Sequence, residues 1–145
     1  IEKNIPIKLR NPNATRPWQH VLEPLSGYLI LAEKLYLGNK EICKQEQNWN
    51  FGPNISNCKS VRYIANFIAK RTSLKFKTIK VESKIFKPET NFLRLSNSKS
   101  KRYLSWFPKW SLDITLTKIL AWNDLTKLKN TRIACEKQIK EYYKI

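Results

Sequence analysis

The chain contains only three glycines among its 145 residues, and this scarcity limits the folds that it can complete. A dinucleotide-binding loop needs closely spaced glycines so that its backbone can approach a pyrophosphate. Gly27, Gly38 and Gly52 lie too far apart to form a GxGxxG or GxxGxxG motif. The sequence shown therefore excludes a dinucleotide loop within these residues, and we do not expect this segment alone to bind such a cofactor.

Apolar spacing predicts a first helix after residue 21. Leu25, Leu29, Ala32 and Tyr36 form one stripe at helical spacing. Glu23 is suited to cap this helix, Pro24 to its first helical position and Gly38 to its C-terminal stop.

Three further helices are predicted by a polar capping residue followed by apolar periodicity. The caps are Ser60, a Ser/Asn residue near 97 and Ser111, and the charged tail 129–145 has weak helical periodicity. We expect this tail to dock through Ile139 and Tyr142. The apolar positions that follow Ser60 are Val61, Ile64, Ala65 and Ile68. Those that follow Ser111 are Leu112, Leu116, Ile119 and Leu120.

Strand patterns alternate with these helices. Residues 5–10 alternate apolar and polar side chains, and "RPWQHV" is extended because Arg16 precedes a proline. With the turn "NPNAT" between them, these two segments predict a hairpin-like pair. "NWNFGPN" (48–54) is read as a strand entering a turn, and "LKFKTIKV" (74–81) as a strand with a bulge at Thr78-Ile79. Residues 39–47 and 83–91 are read as loops.

The alternation of strands and helices predicts an α/β or α+β class. The strands are too few for a complete doubly wound sheet. The chain also begins at Ile1 and has no methionine. We therefore expect a piece of a longer chain, or a processed product.

The formal net charge of +17 would attract polyanions. One interpretation is a basic nucleic-acid-binding module. The other is compositional drift, which we favour because the lysines are scattered rather than clustered on one element. We therefore expect no nucleic-acid partner.

Cys43, Cys58 and Cys135 form no CxxC pair and have no histidine at ligand spacing, so we expect reduced cytosolic thiols and no metal site. His20 is the single histidine, which excludes a mechanism that needs two. No apolar run approaches the ~18 residues of a membrane span, and we expect no membrane partner.

Three segments carry a resemblance to a known family: "NPNATRPWQHVLEPLSGYLILAEKLY", "WNFGPN" and "YLSWFPKWSLDITLTKILAW". They resemble the C-terminal part of the CDP-glucose 4,6-dehydratases, in the extended short-chain dehydrogenase/reductase superfamily. The resemblance implies a C-terminal sugar-nucleotide-binding region over residues 1–145, made of the last sheet strands and a small α+β lobe, with 129–145 as a charged tail.

The family converts CDP-glucose to the 4-keto-6-deoxy sugar with NAD, in deoxysugar and O-antigen biosynthesis. Its YxxxK catalytic pair and its NAD loop lie in an N-terminal Rossmann half that these residues do not include. The resemblance thus implies NAD bound by that half, CDP-glucose as substrate, a cytoplasmic homo-oligomer, and no catalytic or cofactor-binding residue here. Another nucleotide-sugar dehydratase or epimerase and an inactive remnant remain alternatives. Because the Rossmann sheet is absent, we expect exposed apolar faces.

Arg16 is the first candidate substrate-binding residue. A guanidinium can grip two phosphate oxygens, and Pro17 restricts its backbone; the alternative is a surface arginine paired with Glu23. The resemblance implies that Arg16 meets the nucleotide phosphates. Arg10 across the turn and Glu89, in a His-Glu-Ala-type motif of relatives, complete the candidates.

Other conspicuous residues are assigned to structure. We expect a hydrogen-bonded structural role for His20 and core packing for Trp18. We expect core packing also for the aromatic cluster Trp106, Phe107, Trp110 and Trp122.

The chain departs from the family pattern at several positions. Pro88 and Thr90 flank Glu89, and Ser96 replaces an aspartate. Ser105 replaces a glycine, which predicts a positive φ that serine adopts only at a cost. These departures fit a diverged copy or a decayed one.

Overall fold

The computed structural model describes residues 7–45, 48–72, 76–78, 90–128 and 130–144. These residues form a mixed α/β structure, as the sequence predicts. The strands are β1 (Ile7–Leu9), β2 (Thr15–Pro17), β3 (Cys58–Ser60) and β4 (Phe76–Thr78). The helices are α1 (Leu22–Tyr36), α2 (Lys40–Cys43), α3 (Val61–Ala69), α4 (Ser98–Leu104), α5 (Leu112–Leu128) and α6 (Thr131–Tyr143).

The predicted hairpin between the first two strands is wrong. β1 pairs in parallel with β4, and β2 pairs antiparallel with β3. The reason lies in the backbone groups around β2, which find partners distant in sequence. Thr15 N donates to Asn91 O at 2.8 Å, and Val61 N donates to Ala14 O at 3.0 Å. These non-local bonds occupy β2, and a hairpin with β1 would have to break them.

Helix α1 begins two residues earlier than its capping residues predict. Its first residue is Leu22, so Pro24 is the third helical position rather than the first. Val21 provides no side-chain cap; instead His20 Nδ1 accepts a hydrogen bond from Leu22 N at 3.2 Å. Glu23 is buried, and its carboxylate accepts from Lys109, Trp110 and Tyr142 instead of from N–H groups of α1, so its predicted capping role is wrong.

The starts of α3 and α5 and the end of α1 follow the predicted chemistry. The start of α4 does not, because Asn97 precedes it without a side-chain capping hydrogen bond. Ser60 Oγ accepts from Tyr63 N at 3.2 Å at the start of α3, and Ser111 Oγ accepts from Ile114 N at 3.3 Å at the start of α5. Gly38 has φ of 64° just beyond α1, the left-handed conformation that favours glycine.

The loop predicted for residues 39–47 contains a helix. Asn39 Oδ1 accepts from the backbone N–H groups of Glu41 and Ile42, both at 3.1 Å, and so caps α2. This one-turn helix buries Ile42 in the core. Local capping and the burial of one apolar side chain outweigh the polar composition of the segment.

Residues 48–54 are also not a strand, because they lack ladder partners among the described residues. They nevertheless deliver Phe51 into one core cluster, with Ile42, Leu104 and Trp106. A second cluster contains Phe67, Leu112 and Leu116, and Trp18 packs against it as expected. Phe107, predicted to be core, is 58% exposed.

The charged tail is the ordered helix α6. Tyr142 is buried, and Gln138 Nε2 donates to Lys118 O on α5 at 2.6 Å. Ile139, the other predicted docking residue, is 42% exposed, so the tail docks through Tyr142 and not through Ile139. Polar bonds to α1 and α5 therefore position a helix whose own pattern is weak.

Some predictions concern residues outside the described ranges. They include Ile5 of the first predicted strand, Ile79 of the predicted bulge and the candidate Glu89.

Among the helices of the described residues, none combines the length and apolarity that crossing a membrane would require.

Candidate functional site

Strand β2 places Arg16 between two other backbone segments. On one side, β3 pairs with β2 so that Arg16 is opposite Lys59. On the other side, Thr15 N donates a hydrogen bond to Asn91 O at 2.8 Å, and Leu93 N donates one to Thr15 O at 3.1 Å. The segment 91–93 is therefore attached along β2, and Arg16 contacts Thr90, which lies 74 positions further along the chain.

The guanidinium of Arg16 is held by backbone carbonyls. Its Nη1 donates to Thr90 O at 2.8 Å and to Thr15 O at 3.0 Å. Glu23, the alternative ionic partner, lies buried and accepts its hydrogen bonds from Lys109, Trp110 and Tyr142. A restrained guanidinium loses less conformational entropy when it binds an anion than one that moves in solvent.

Lys59 is a basic residue that the sequence analysis did not single out. Residues directly opposite in an antiparallel pair project from the same face of the sheet, so Lys59 and Arg16 share a face. Lys59 Nζ lies 5.8 Å from the centroid of the Tyr63 ring. Like charges in this register repel each other unless an anion lies nearby. No sequence signal could have found this pair, because it depends on the register.

Arg10 lies in the bend directly after β1 and is exposed. The neighbouring Asn11 donates from Nδ2 to Asn91 Oδ1 at 3.3 Å, which ties the 10–14 turn to the segment beside Arg16. The structure thus brings the Arg10 turn and Arg16 to the same segment. Glu89 lies outside the described residues, one position before the Thr90 carbonyl that Arg16 contacts.

A basic cavity of about 620 Å³ lies against the strand that pairs with β2. Cys58 of β3 forms part of its wall, and Arg94 and Lys101 contribute positive charge. Lys101 Nζ is fixed by Asn54 Oδ1 at 3.1 Å. The other lining residues are Pro53, Asn54, Ile55 and the segment 95–98. The size is in the range of small-molecule sites.

Ser96 and Ser105 occupy positions where relatives are expected to carry other residues. Ser96 lines the basic cavity, and its Oγ bonds Ser98 Oγ at 3.3 Å. Ser105 ends α4 with φ of 50° and ψ of 30°, so its predicted positive φ is confirmed.

His20 is a structural residue. It is buried, its Nδ1 accepts from Leu22 N, and its ring packs edge-on against Trp110 at 4.9 Å. Burial lowers the pKa of His20 below its ordinary value. A hydrogen bond with Gln138 and the charge of Glu23 raise it, and Lys118 lowers it. The imidazole is therefore held neutral within the core.

Glu23 is the centre of a buried polar network. Its carboxylate accepts from Lys109 N at 3.0 Å, Trp110 N at 2.8 Å and Tyr142 Oη at 2.8 Å. Ser26 Oγ lies 3.0 Å from Tyr142 Oη and accepts from Trp106 Nε1 at 3.0 Å. The pKa of Tyr142 is raised above its ordinary value, and burial of the phenol is the largest cause. The network joins α1, the 105–110 loop and α6, and it fixes these elements rather than forming a reaction centre.

Within the described ranges, no three His, Cys, Asp or Glu side chains come together where they could hold a metal ion. The described cysteines are all free thiols.

Comparison with known proteins gives one informative relative. No family model matches the chain. The chain is 34% identical over 143 residues to CDP-glucose 4,6-dehydratase of Salmonella typhimurium. It is homologous to part of that enzyme. The match covers 98% of this chain but 39% of the relative, so the chain spans about two-fifths of the relative's length.

Proposed function

We propose that this chain is the nucleotide-sugar-binding part of a CDP-glucose 4,6-dehydratase. The observation that carries the proposal is the 34% identity that extends over 98% of the chain. The substrate is CDP-glucose, and the product is CDP-4-keto-6-deoxyglucose. NAD binds to a part equivalent to the remainder of the relative, in a cytoplasmic homo-oligomer.

The geometry around Arg16 supports a diphosphate ligand. Arg16 is restrained by two carbonyls, and Lys59 projects from the same face of the sheet. A diphosphate between them would relieve the repulsion of the two cations and would accept charge-assisted hydrogen bonds. Arg16 and Lys59 thus bind and orient the phosphates. We assign Arg10 to the nucleoside side, and Glu89 remains a substrate-binding candidate from the family resemblance alone.

The basic cavity beside β3 supports the same assignment. Its walls come from the "FGPNIS" turn and from the segment after residue 93, which are joined by Asn97 Nδ2 donating to Gly52 O at 2.8 Å. A cavity of this charge accommodates part of an anionic sugar nucleotide better than it accommodates a neutral ligand.

The test uses a chimeric protein in which this chain replaces the matching segment of the Salmonella relative. We expect turnover of CDP-glucose, and we expect Arg16→Ala to raise the KM about 10- to 150-fold, which corresponds to ~1.5–3 kcal/mol for a bond to a charged group. Lys59→Ala raises the KM less, because a flexible ammonium gives one point contact. The matched control is Arg132→Ala on α6, where Arg132 pairs with exposed Glu136 at 2.7 Å; it leaves the KM unchanged.

Two outcomes would reject the proposal. An unchanged KM for Arg16→Ala would show that Arg16 does not bind the phosphates. A chimeric protein that melts cooperatively but does not turn over CDP-glucose would show that CDP-glucose is not the substrate. Binding that ignores the base and collapses steeply with salt would instead support the nucleic-acid alternative.

A further inference from the structure

The segment 48–54 is held in place by side chains, although it lies in neither a helix nor a strand. Ser100, which is buried on α4, donates from Oγ to Asn50 O at 2.6 Å. Asn97, directly before α4, donates from Nδ2 to Gly52 O at 2.8 Å. These bonds attach the segment to the start of α4, so the position of its last residue is defined relative to that helix.

Asn54 ends this segment and orients a cation of α4. Its Oδ1 accepts a hydrogen bond from Lys101 Nζ at 3.1 Å. An amide oxygen carries no formal charge, so this bond directs the ammonium without neutralising it. An ammonium has three N–H donors, and the bond to Asn54 uses one of them.

The wall of the basic cavity carries positive charge without a carboxylate. Among the described residues that line it, Lys101 and Arg94 are the charged side chains. Arg94 is exposed, and its guanidinium lies over the Phe92 ring at 4.2 Å. Lys101 is half-buried, and its Nζ lies 5.9 Å from the centroid of the Phe107 ring. A charge that is partly removed from water interacts more strongly with an opposite charge than one in bulk solvent does.

Helical geometry separates Lys101 from the other cations of α4. Lys99 Nζ lies 4.3 Å from the centroid of the Trp49 ring, and Arg102 Cζ lies 5.3 Å from that of Tyr103. At about 100° per residue, positions 99, 101 and 102 project in different directions. Of these three described cations, Lys101 is the one that lines the cavity.

We propose that Lys101 binds a phosphoryl oxygen of the sugar nucleotide in this cavity, and that Asn54 is the positioning residue that directs its ammonium. The inference rests on the proposed function and adds a cation to the proposed phosphate contacts. Cys58 in the cavity wall directly precedes Lys59, so the cavity lies next to the strand that carries one of those contacts. A hydrogen bond between an ammonium and a phosphoryl oxygen is charge-assisted, and it is stronger than one between neutral groups.

The experiment measures ligand binding to the chimeric protein by calorimetry, with CDP and cytidine as probes. Lys101→Ala should weaken CDP binding about 10-fold or more and leave cytidine binding unchanged, because cytidine has no phosphate. Lys101→Arg, which keeps the charge, should retain most of the affinity for CDP. The matched control is Arg102→Ala, which removes one positive charge from the same helix outside the cavity. We expect it to change neither affinity.

The positioning role of Asn54 is tested with two variants of this exposed residue. Asn54→Ala should weaken CDP binding, because the ammonium of Lys101 loses its orienting acceptor. Asn54→Asp should weaken it further, because the new carboxylate would pair with Lys101 and repel the diphosphate. In turnover of CDP-glucose, both variants should raise the KM and leave kcat unchanged, since a contact made equally in the ground state and the transition state affects binding alone.

Three results would overturn the proposal. They are an unchanged CDP affinity in Lys101→Ala, equal losses in Lys101→Ala and Arg102→Ala, and a Lys101→Ala loss that is the same for cytidine as for CDP. An Asn54→Asp variant that binds CDP as tightly as Asn54→Ala would overturn the role of Asn54. If the chimeric protein turns over CDP-glucose while Lys101→Ala has no effect, the role of Lys101 fails and the proposed function stands.

Discussion

Tyr142 donates a hydrogen bond to the buried carboxylate of Glu23 at 2.8 Å, across 119 positions of sequence. This bond ties α6 to α1, and the same carboxylate holds the backbone of Lys109 and Trp110. A carboxylate in the core is tolerated only where hydrogen bonds satisfy it. Removal of the phenolic hydroxyl therefore reports directly on the network.

We expect Tyr142→Phe to lower the free energy of unfolding by about 1.5–3 kcal/mol, the range for a hydrogen bond to a charged group. Urea unfolding measures the change. Tyr143→Phe is the control, because Tyr143 lies at the exposed side of the same helix, and we expect its effect to stay within about 0.5 kcal/mol. Equal effects of the two substitutions would contradict a specific role for Tyr142.

Ser105→Gly should stabilise the protein by about 1 kcal/mol. Ser105 has φ of 50°, a conformation in which glycine has no steric penalty. Thermal melting measures the increase. The reverse control is Gly38→Ala at φ of 64°, where we expect a loss of similar size although no atom lies within 4 Å of the added Cβ. A Ser105→Gly variant that is no more stable would show that the turn carries no strain.

Gly27→Ala should destabilise the protein by about 1–3 kcal/mol. A Cβ at Gly27 would overlap the Phe51 ring, which packs in the first core cluster. Chemical denaturation measures the loss. Combining it with Phe51→Leu should recover part of the loss, because the smaller side chain makes room for the methyl group. Strictly additive effects would show that the two residues do not meet.

Acid should weaken the fold through His20. Burial lowers the pKa of its imidazole, so the folded protein disfavours the proton that the unfolded chain accepts near pH 6.5. The contribution of neutral His20 is present above that pH, and we expect it to be lost as the pH falls below it. Denaturation midpoints at a series of pH values measure this slope, and His20→Gln should flatten it between pH 7 and pH 5.5. His20 is the chain's single histidine, so a slope that persists in His20→Gln would assign the effect to other groups.

The sequence predicted features whose chemistry is local. Ser60 and Ser111 cap helices because a hydroxyl reaches an N–H group three residues away, and Ser105 and Gly38 adopt positive φ because a helix ends there. The candidate Arg16 also came from the sequence, through its residue type, the following proline and the family resemblance. Its role remains a prediction.

Tertiary structure decided the features that depend on register and on burial. Lys59 joins Arg16 because β2 pairs with β3 rather than with β1, and only backbone bonds between distant segments determine that pairing. Glu23 was assigned to a helix cap by its position, yet it lies inward because Tyr142 and the 109–110 backbone supply its donors. The same contacts turn Leu25, Leu29 and Tyr36 of α1 toward water. Sequence spacing can show that a helix has two faces, but which face is buried depends on the partners that the rest of the molecule provides.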